Sequence, residues 1–130
     1  MLKGIIHHSV LIIVSIISLM LLYSSMLKLV GFPGMEESFL VWGYSKTFMI
    51  IIGVIELILS IIIFAKPTRV IGLSGLVFLM IGALFTHISN DEYDQITTAL
   101  FLLIMSTCSL ILIFLEDPKN SSNSHNSVSN

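Results

Sequence analysis

Residues 47–65 read TFMIIIGVIELILSIIIFA, and Glu56 is the only charged residue among them. Three further stretches, residues 9–27, 70–90 and 95–115, contain no Asp, Glu, Lys or Arg. Each stretch is close to the roughly 20 residues that a helix needs to cross the hydrocarbon core of a bilayer. We therefore predict an all-α protein built as a bundle of four transmembrane helices.

The composition of the whole chain agrees with this prediction. Of the 130 residues, 55% are hydrophobic and only 11% are charged, whereas soluble domains carry about 25% charged residues. A water-soluble globular domain is therefore excluded. The six Lys and Arg residues are scattered singly and form no basic patch, which excludes a nucleic-acid partner. The expected surroundings are the lipid bilayer.

Turn-forming residues and changes of composition mark the ends of the helices. Pro33 and the glycines beside it end the first helix, because proline cannot continue a helix and glycine permits a sharp turn. The Ser- and Asn-rich residues 116–130 contain nothing to bury and are predicted to form a disordered tail. We predict helices at about residues 9–30, 47–65, 70–89 and 95–115, within one membrane domain of residues 1–115.

Residues 35–46 are predicted to be a loop on the membrane surface. This segment contains Phe39, Trp42 and Tyr44. Aromatic side chains of this kind favour the boundary between membrane and water. We interpret them as anchors of the loop at that boundary.

The first apolar stretch is predicted to be a retained helix and not a cleaved signal peptide. It runs from Ser9 to Leu27, which is longer than the roughly 7–15 residues of a signal-peptide core. No clear cleavage site of small residues follows it.

The distribution of cations predicts the orientation of the bundle. Cytoplasmic loops of membrane proteins carry an excess of Lys and Arg. Lys3, Lys66, Arg69 and Lys119 fall on one side, whereas Lys28 and Lys46 fall on the other beside five acidic residues. We therefore expect both termini to be cytoplasmic, in an integral protein of the plasma (inner) membrane.

Glu56 is the residue most suggestive of a function. An ionised side chain at the centre of a membrane helix costs on the order of 2.5–3.5 kcal/mol, so Glu56 must be neutral, paired or facing water. Helical spacing places Gly53, Glu56 and Ser60 on one face, which suits the interior of the bundle. Two interpretations remain: a carboxyl group that fixes helix packing, or one that handles a ligand, a proton or a quinone.

Lys28 and His87 complete a candidate polar pocket with Glu56. Lys28 lies near the end of the first helix, where it could extend to water or contact Glu56 directly or through a water molecule. His87 ends the third helix on the same side. Histidine can change its charge near neutral pH, although a histidine at this position could also be merely interfacial.

Small residues indicate where helices approach closely. Gly53, Gly72, Gly75 and Gly82 are predicted to mediate helix packing, since small residues at helical spacing allow backbones to come together. Cys108 is the only cysteine, which excludes an intramolecular disulfide and a CxxC redox pair. The sequence contains no metal-binding or nucleophile motif, so we predict no catalytic residue and no metal ligand, and we assign no cofactor.

The order of these motifs resembles the DoxX-like family of small four-helix integral membrane proteins. The first helix ends in SSMLKLVG (residues 24–31), the second contains IGVIEL (52–57), KPTR (66–69) follows, and the third helix closes with FTH (85–87). The resemblance covers roughly residues 10–115. Lys28, Glu56, Arg69 and His87 match the family's recurring polar positions, Arg69 in a turn expected to be cytoplasmic.

The family takes its name from a subunit of a thiosulfate:quinone oxidoreductase. The resemblance therefore implies fold and location, together with a membrane redox partner or a quinone as an expected partner. Our first hypothesis is a non-catalytic subunit or partner of a quinone-linked membrane oxidoreductase. The alternatives are a small proton-coupled transporter that uses the intramembrane Glu56, and a purely structural accessory membrane protein. The sequence indicates neither an enzymatic activity of its own nor an oligomeric state.

Overall fold

The computed structural model describes residues 1–116, whose regular secondary structure is helical throughout, with no strand. Four of the helices, α1, α3, α4 and α5, are long and apolar enough to cross a membrane. The predicted all-α fold with four membrane spans is confirmed. The helices are α1 (Leu2–Leu29), α2 (Pro33–Val41), α3 (Lys46–Phe64), α4 (Arg69–Ser89) and α5 (Tyr93–Glu116).

Two of the predicted boundaries need correction. Helix α1 begins at Leu2 and not near Ser9, because charged and polar residues at the edge of an apolar stretch do not interrupt helical hydrogen bonding. The predicted loop at residues 35–46 is wrong for its first part, which forms α2. Pro33 occupies the first turn of α2, where its missing N–H group needs no partner. Of the tail predicted at residues 116–130, Glu116 is the last residue of α5, and residues 117–130 lie outside the described residues.

The four long helices form a ring in the order α1, α3, α4, α5, and α5 packs back against α1. Helix α2 contacts α1 and α3. We call the end of the bundle that carries α2 the α2 end. The opposite end, where a short 3-10 turn over Lys66–Thr68 joins α3 to α4, is called the Arg69 end.

Aliphatic side chains fill the middle of the bundle and the half toward the Arg69 end. Because lipid tails are as apolar as these side chains, close packing and not the exclusion of water must hold this core together. The buried residues are Val10, Val14, Ile17 and Leu21 of α1, Leu59 and Ile63 of α3, Leu73, Leu76 and Met80 of α4, and Ala99 and Leu102 of α5.

Arg69 completes the end of α3. Its Nε donates a hydrogen bond to the carbonyl of Ile63 at 3.1 Å, and its Nη2 donates to the carbonyl of Phe64 at 3.0 Å. The Thr68 hydroxyl donates to the carbonyl of Ile62 at 2.8 Å. The last carbonyls of a helix have no partner within the helix, and unsatisfied ones are costly near lipid. The buried Arg69 therefore stabilises the α3–α4 hairpin.

Three of the four glycines expected at helix contacts lie against a neighbouring helix. A Cβ atom placed on Gly72 would lie 2.7 Å from Cγ1 of Ile63, and one on Gly75 would lie 3.2 Å from Cδ2 of Leu59. One on Gly53 would lie 2.9 Å from Cβ of Lys28. The expected packing role of Gly82 is corrected by the structure, because a Cβ atom there would meet nothing within 4 Å.

Candidate functional site: a cavity beside a buried ion pair

Lys28 of α1 and Glu56 of α3 form a direct ion pair inside the bundle. The Lys28 Nζ atom donates hydrogen bonds to Oε2 of Glu56 at 2.9 Å and to Oε1 at 3.2 Å. It also donates to the Ser24 hydroxyl at 2.6 Å. The side chains of Lys28 and Glu56 are only 9% and 7% exposed. The pair carries no net charge, which lowers the cost of placing both groups within the membrane.

Local geometry explains how two residues at different depths meet. Side chains tilt toward the N-terminus of their helix. Lys28 therefore leans away from the α2 end, and Glu56 on the antiparallel α3 leans toward it. Gly53 allows the contact, because any larger residue would collide with the stem of Lys28. Of the two alternatives open from the sequence, contact with Glu56 and extension to water, the structure contains the first.

The ion pair borders a cavity of about 590 Å³ in the half of the bundle toward the α2 end. All five helices contribute to its wall, and Lys28, Glu56 and His87 lie around this one cavity. Its volume lies within the roughly 300–1,000 Å³ of pockets that bind small molecules. Most of the other lining residues are apolar, and six are aromatic: Phe32, Phe39, Trp42, Tyr44, Phe48 and Phe78.

Helix α2 and the segment after it cover the α2 end of this cavity. Phe39 of α2 is buried, and its ring centroid lies 5.1 Å from that of Trp42, 6.2 Å from that of Tyr44 and 6.3 Å from that of Phe48. Aromatic rings at such distances attract one another beyond their apolar contact. An ion pair between Glu36 and Lys46 at 3.0 Å adds a second link from α2 to α3.

His87 lies in a small polar group at the far wall of the cavity. Its Nδ1 atom is 3.2 Å from Oε2 of Glu92, which leaves Nε2 for another partner. The His87 ring also meets the Trp42 ring edge to face, with centroids 5.1 Å apart. Within the part of the chain that the structure describes, the buried Nε1 of Trp42 has no hydrogen-bond partner. Next to this group, the hydroxyls of Tyr44 and Thr86 are 3.2 Å apart.

Several residues of this wall did not enter the candidate site at the sequence level. The sequence favours an interpretation of Trp42 and Tyr44 as anchors at the membrane surface, and it does not single out Glu92. Aromatic residues near a membrane boundary are common for either reason, so composition alone does not separate an anchor from a cavity wall. The close spacing of Phe39, Trp42, Tyr44 and Phe48 is the signal that could have indicated a cluster.

The chemistry of the wall suits recognition of a small, mostly apolar molecule that accepts hydrogen bonds. The Nε1 group of Trp42 is a donor, and His87 can donate through Nε2. The three protons of the Lys28 ammonium are matched by three acceptor atoms, on Ser24 and Glu56. Among residues 1–116, no group of three or more His, Cys, Asp or Glu side chains could hold a metal ion.

The fold and this cavity define a class: a small polytopic membrane protein whose helical bundle contains a cavity near one end. The model of the DoxX-like family matches residues 12–109. The chain therefore belongs to the DoxX-like family, which confirms the resemblance seen in its motifs. Searches of curated proteins and of solved structures found no match.

Proposed function

We propose that this integral membrane protein is a non-catalytic subunit of a quinone-linked oxidoreductase and that it holds the quinone headgroup in the cavity. The observation that carries the proposal is the cavity itself, which combines aromatic walls with hydrogen-bond donors. The proposal assigns electron transfer to the partner enzyme and quinone binding to this chain.

The chemistry of a quinone headgroup matches the groups around the cavity. Its ring is flat and apolar, and its two carbonyl oxygens accept hydrogen bonds. The Trp42 Nε1 group and the His87 ring supply donors, and the rings of Phe39 and Tyr44 supply flat apolar surfaces. The Lys28–Glu56 pair acts as a positioning element, since its hydrogen bonds hold α1 and α3 together beside the cavity.

We further propose that the α2 end faces the exterior of the plasma (inner) membrane. Lys3, Lys66 and Arg69 lie toward the Arg69 end, which suits a cytoplasmic location. At the other end, the charge of Lys28 is neutralised by Glu56, and the charge of Lys46 is neutralised by Glu36.

The ion pair disfavours the transporter hypothesis. A carboxylate that takes up a proton loses its charge, and a protonated Glu56 would leave the Lys28 ammonium buried without its partner. Proton-coupled uptake by reconstituted vesicles that is lost in Glu56→Gln would favour the transporter instead. The structural hypothesis leaves the cavity without a role, and it is tested by the same binding experiment as the main proposal.

Fluorescence of Trp42 offers a direct test, because Trp42 is the only tryptophan and lines the cavity. The full chain in mild detergent is titrated with a naphthoquinone, and we expect saturable quenching. The variant His87→Ala should weaken binding roughly tenfold through loss of a hydrogen bond in an apolar site. The matched control is Phe114→Leu, an exposed residue toward the Arg69 end that should bind as the unmodified chain does.

A second experiment tests the partner. The full chain is isolated from native membranes in mild detergent, and associated proteins and lipids are identified by mass spectrometry. We expect an oxidoreductase and a bound quinone. Non-saturable quenching in the titration, together with neither quinone nor oxidoreductase in the isolate, would contradict the proposed function.

A further inference from the structure

The distance between α3 and α4 increases from the Arg69 end toward the α2 end. A Cβ atom on Gly72 would lie 2.7 Å from Ile63, and one on Gly75 would lie 3.2 Å from Leu59. At Gly82 no atom lies within 4 Å of that position. The two helices are therefore in close contact near their connecting turn and lie apart farther along.

The register of the two antiparallel helices identifies the residue opposite Gly82. Gly75 of α4 lies against Leu59 of α3. Gly82 comes seven residues after Gly75, and Ile52 comes seven residues before Leu59. That separation is about two helical turns, so Ile52 and Gly82 extend the same contact line. Both residues line the cavity.

Along the helix axes, the gap between Ile52 and Gly82 is bounded at each end by a contact. Toward the Arg69 end, Gly75 packs against Leu59. Toward the α2 end, the hydroxyl of Tyr44 contacts that of Thr86 at 3.2 Å. The feature is therefore a window between α3 and α4, and we call it the 52–82 window.

The window lies within the apolar spans of α3 and α4, so we infer that it faces hydrocarbon. Gly82 lies at the end of the middle third of α4, and the rise of a helix places it roughly 10 Å before the end at Ser89. Phe48 and Phe78 line the cavity and are 39% and 76% exposed on the bundle surface. Near the same depth, α3 is in contact with α1 through Gly53 and Lys28, so that side of the bundle is closed.

We propose that the ligand is a single-chain amphiphile that occupies the cavity with its headgroup and passes its apolar chain through the 52–82 window into the bilayer. This inference rests on the proposed function and specifies the class of ligand: a headgroup with an attached chain, taken up laterally from the membrane. Gly82 is the specificity-determining residue, because its missing side chain leaves the window open.

The test replaces Gly82 with leucine. The Gly82→Leu side chain enters open space, so folding should be retained, and it fills the window. The matched control is Gly4→Leu, the same substitution at another helical glycine with nothing within 4 Å. Three probes are used with the full chain in detergent: a naphthoquinone ring, the same ring carrying a prenyl chain, and the corresponding prenyl alcohol. Native mass spectrometry measures binding of all three, and Trp42 quenching checks the two quinones.

We expect the ring with the chain to bind more tightly than the bare ring. Gly82→Leu should remove that advantage, a loss of roughly tenfold, and leave affinity for the bare ring unchanged. Gly4→Leu should change neither. If Gly82→Leu leaves both quinones unaffected or weakens both equally, the window is not a passage for the chain, although the proposed function stands.

The proposed quinone function can also fail while the proposed role of the 52–82 window holds. If neither quinone binds but the prenyl alcohol does, and Gly82→Leu abolishes its binding, the quinone function is wrong and the window is supported. If no probe binds the unmodified chain, both proposals are wrong.

Discussion

The two halves of the bundle are built on different principles. Toward the Arg69 end, aliphatic side chains interdigitate and glycines bring α3 and α4 together. Arg69 donates hydrogen bonds to the last carbonyl groups of α3. Toward the α2 end, the same helices separate around a cavity, and a single buried ion pair links α1 to α3. The comparison shows that close packing holds one half together, whereas a buried ion pair holds the other half together around an open interior.

Breaking the ion pair should have the largest effect on stability. Glu56→Leu leaves the Lys28 ammonium buried without its partner, which costs about 3–5 kcal/mol, and Lys28→Met leaves the carboxylate in the same position. The double variant should recover most of the loss, because two apolar groups replace the pair. Thermal unfolding in detergent measures all three variants. A double variant no more stable than the single ones would contradict a direct pair.

Truncating one isoleucine in each half sharpens the comparison. Ile63 is fully buried in the core, and Ile63→Ala should destabilise the protein by about 2–5 kcal/mol through loss of packing and creation of a void. Ile52 borders a cavity that already exists, so Ile52→Ala should have a much smaller effect. The free energy of unfolding is measured for both variants. Equal losses would mean that the two halves are packed alike.

Adding one methyl group in each half tests the separation of α3 and α4. Gly72→Ala forces a Cβ atom against Ile63 and should destabilise the protein by about 1–3 kcal/mol. Gly82→Ala meets no atom and should stabilise the protein slightly, by about 0.5–1 kcal/mol, because alanine favours the helix. The melting temperatures should therefore move in opposite directions. A shift in the same direction for both variants would contradict the divergence of the helices.

The smallest effect is expected at the link between α2 and α3. Glu36→Gln removes the ion pair with Lys46, whose side chain is 57% exposed, and exposed pairs contribute about 0–1 kcal/mol. The melting temperature should hardly change. Backbone amide exchange in α2 should increase, because α2 then loses one of its links to α3 and keeps the aromatic contacts of Phe39. A large loss of stability would mean that α2 belongs to the stabilising half.

Part of the candidate site can be predicted from single residues of the sequence. Glu56 stands out because charge is costly inside the membrane, and Lys28 follows because an opposite charge nearby lowers that cost. Residues 35–46 were harder to interpret, since aromatic residues at a membrane boundary serve as anchors or as a cavity wall. Gly82 was misjudged because its spacing from Gly75 repeats a packing pattern, whereas the axes of α3 and α4 have separated by that depth.

The sequence by itself determined the four spans, the α3–α4 turn and the family, because the thickness of the hydrocarbon core and the cost of charge within it are read directly from runs of apolar residues. The tertiary structure alone decided that Lys28 reaches Glu56, that α2 and Trp42 cover a cavity, and that a window separates Ile52 from Gly82. These features depend on the tilt and register of one helix against another. A periodic pattern along a single helix records which face is apolar, but it does not record how far away the neighbouring helix lies.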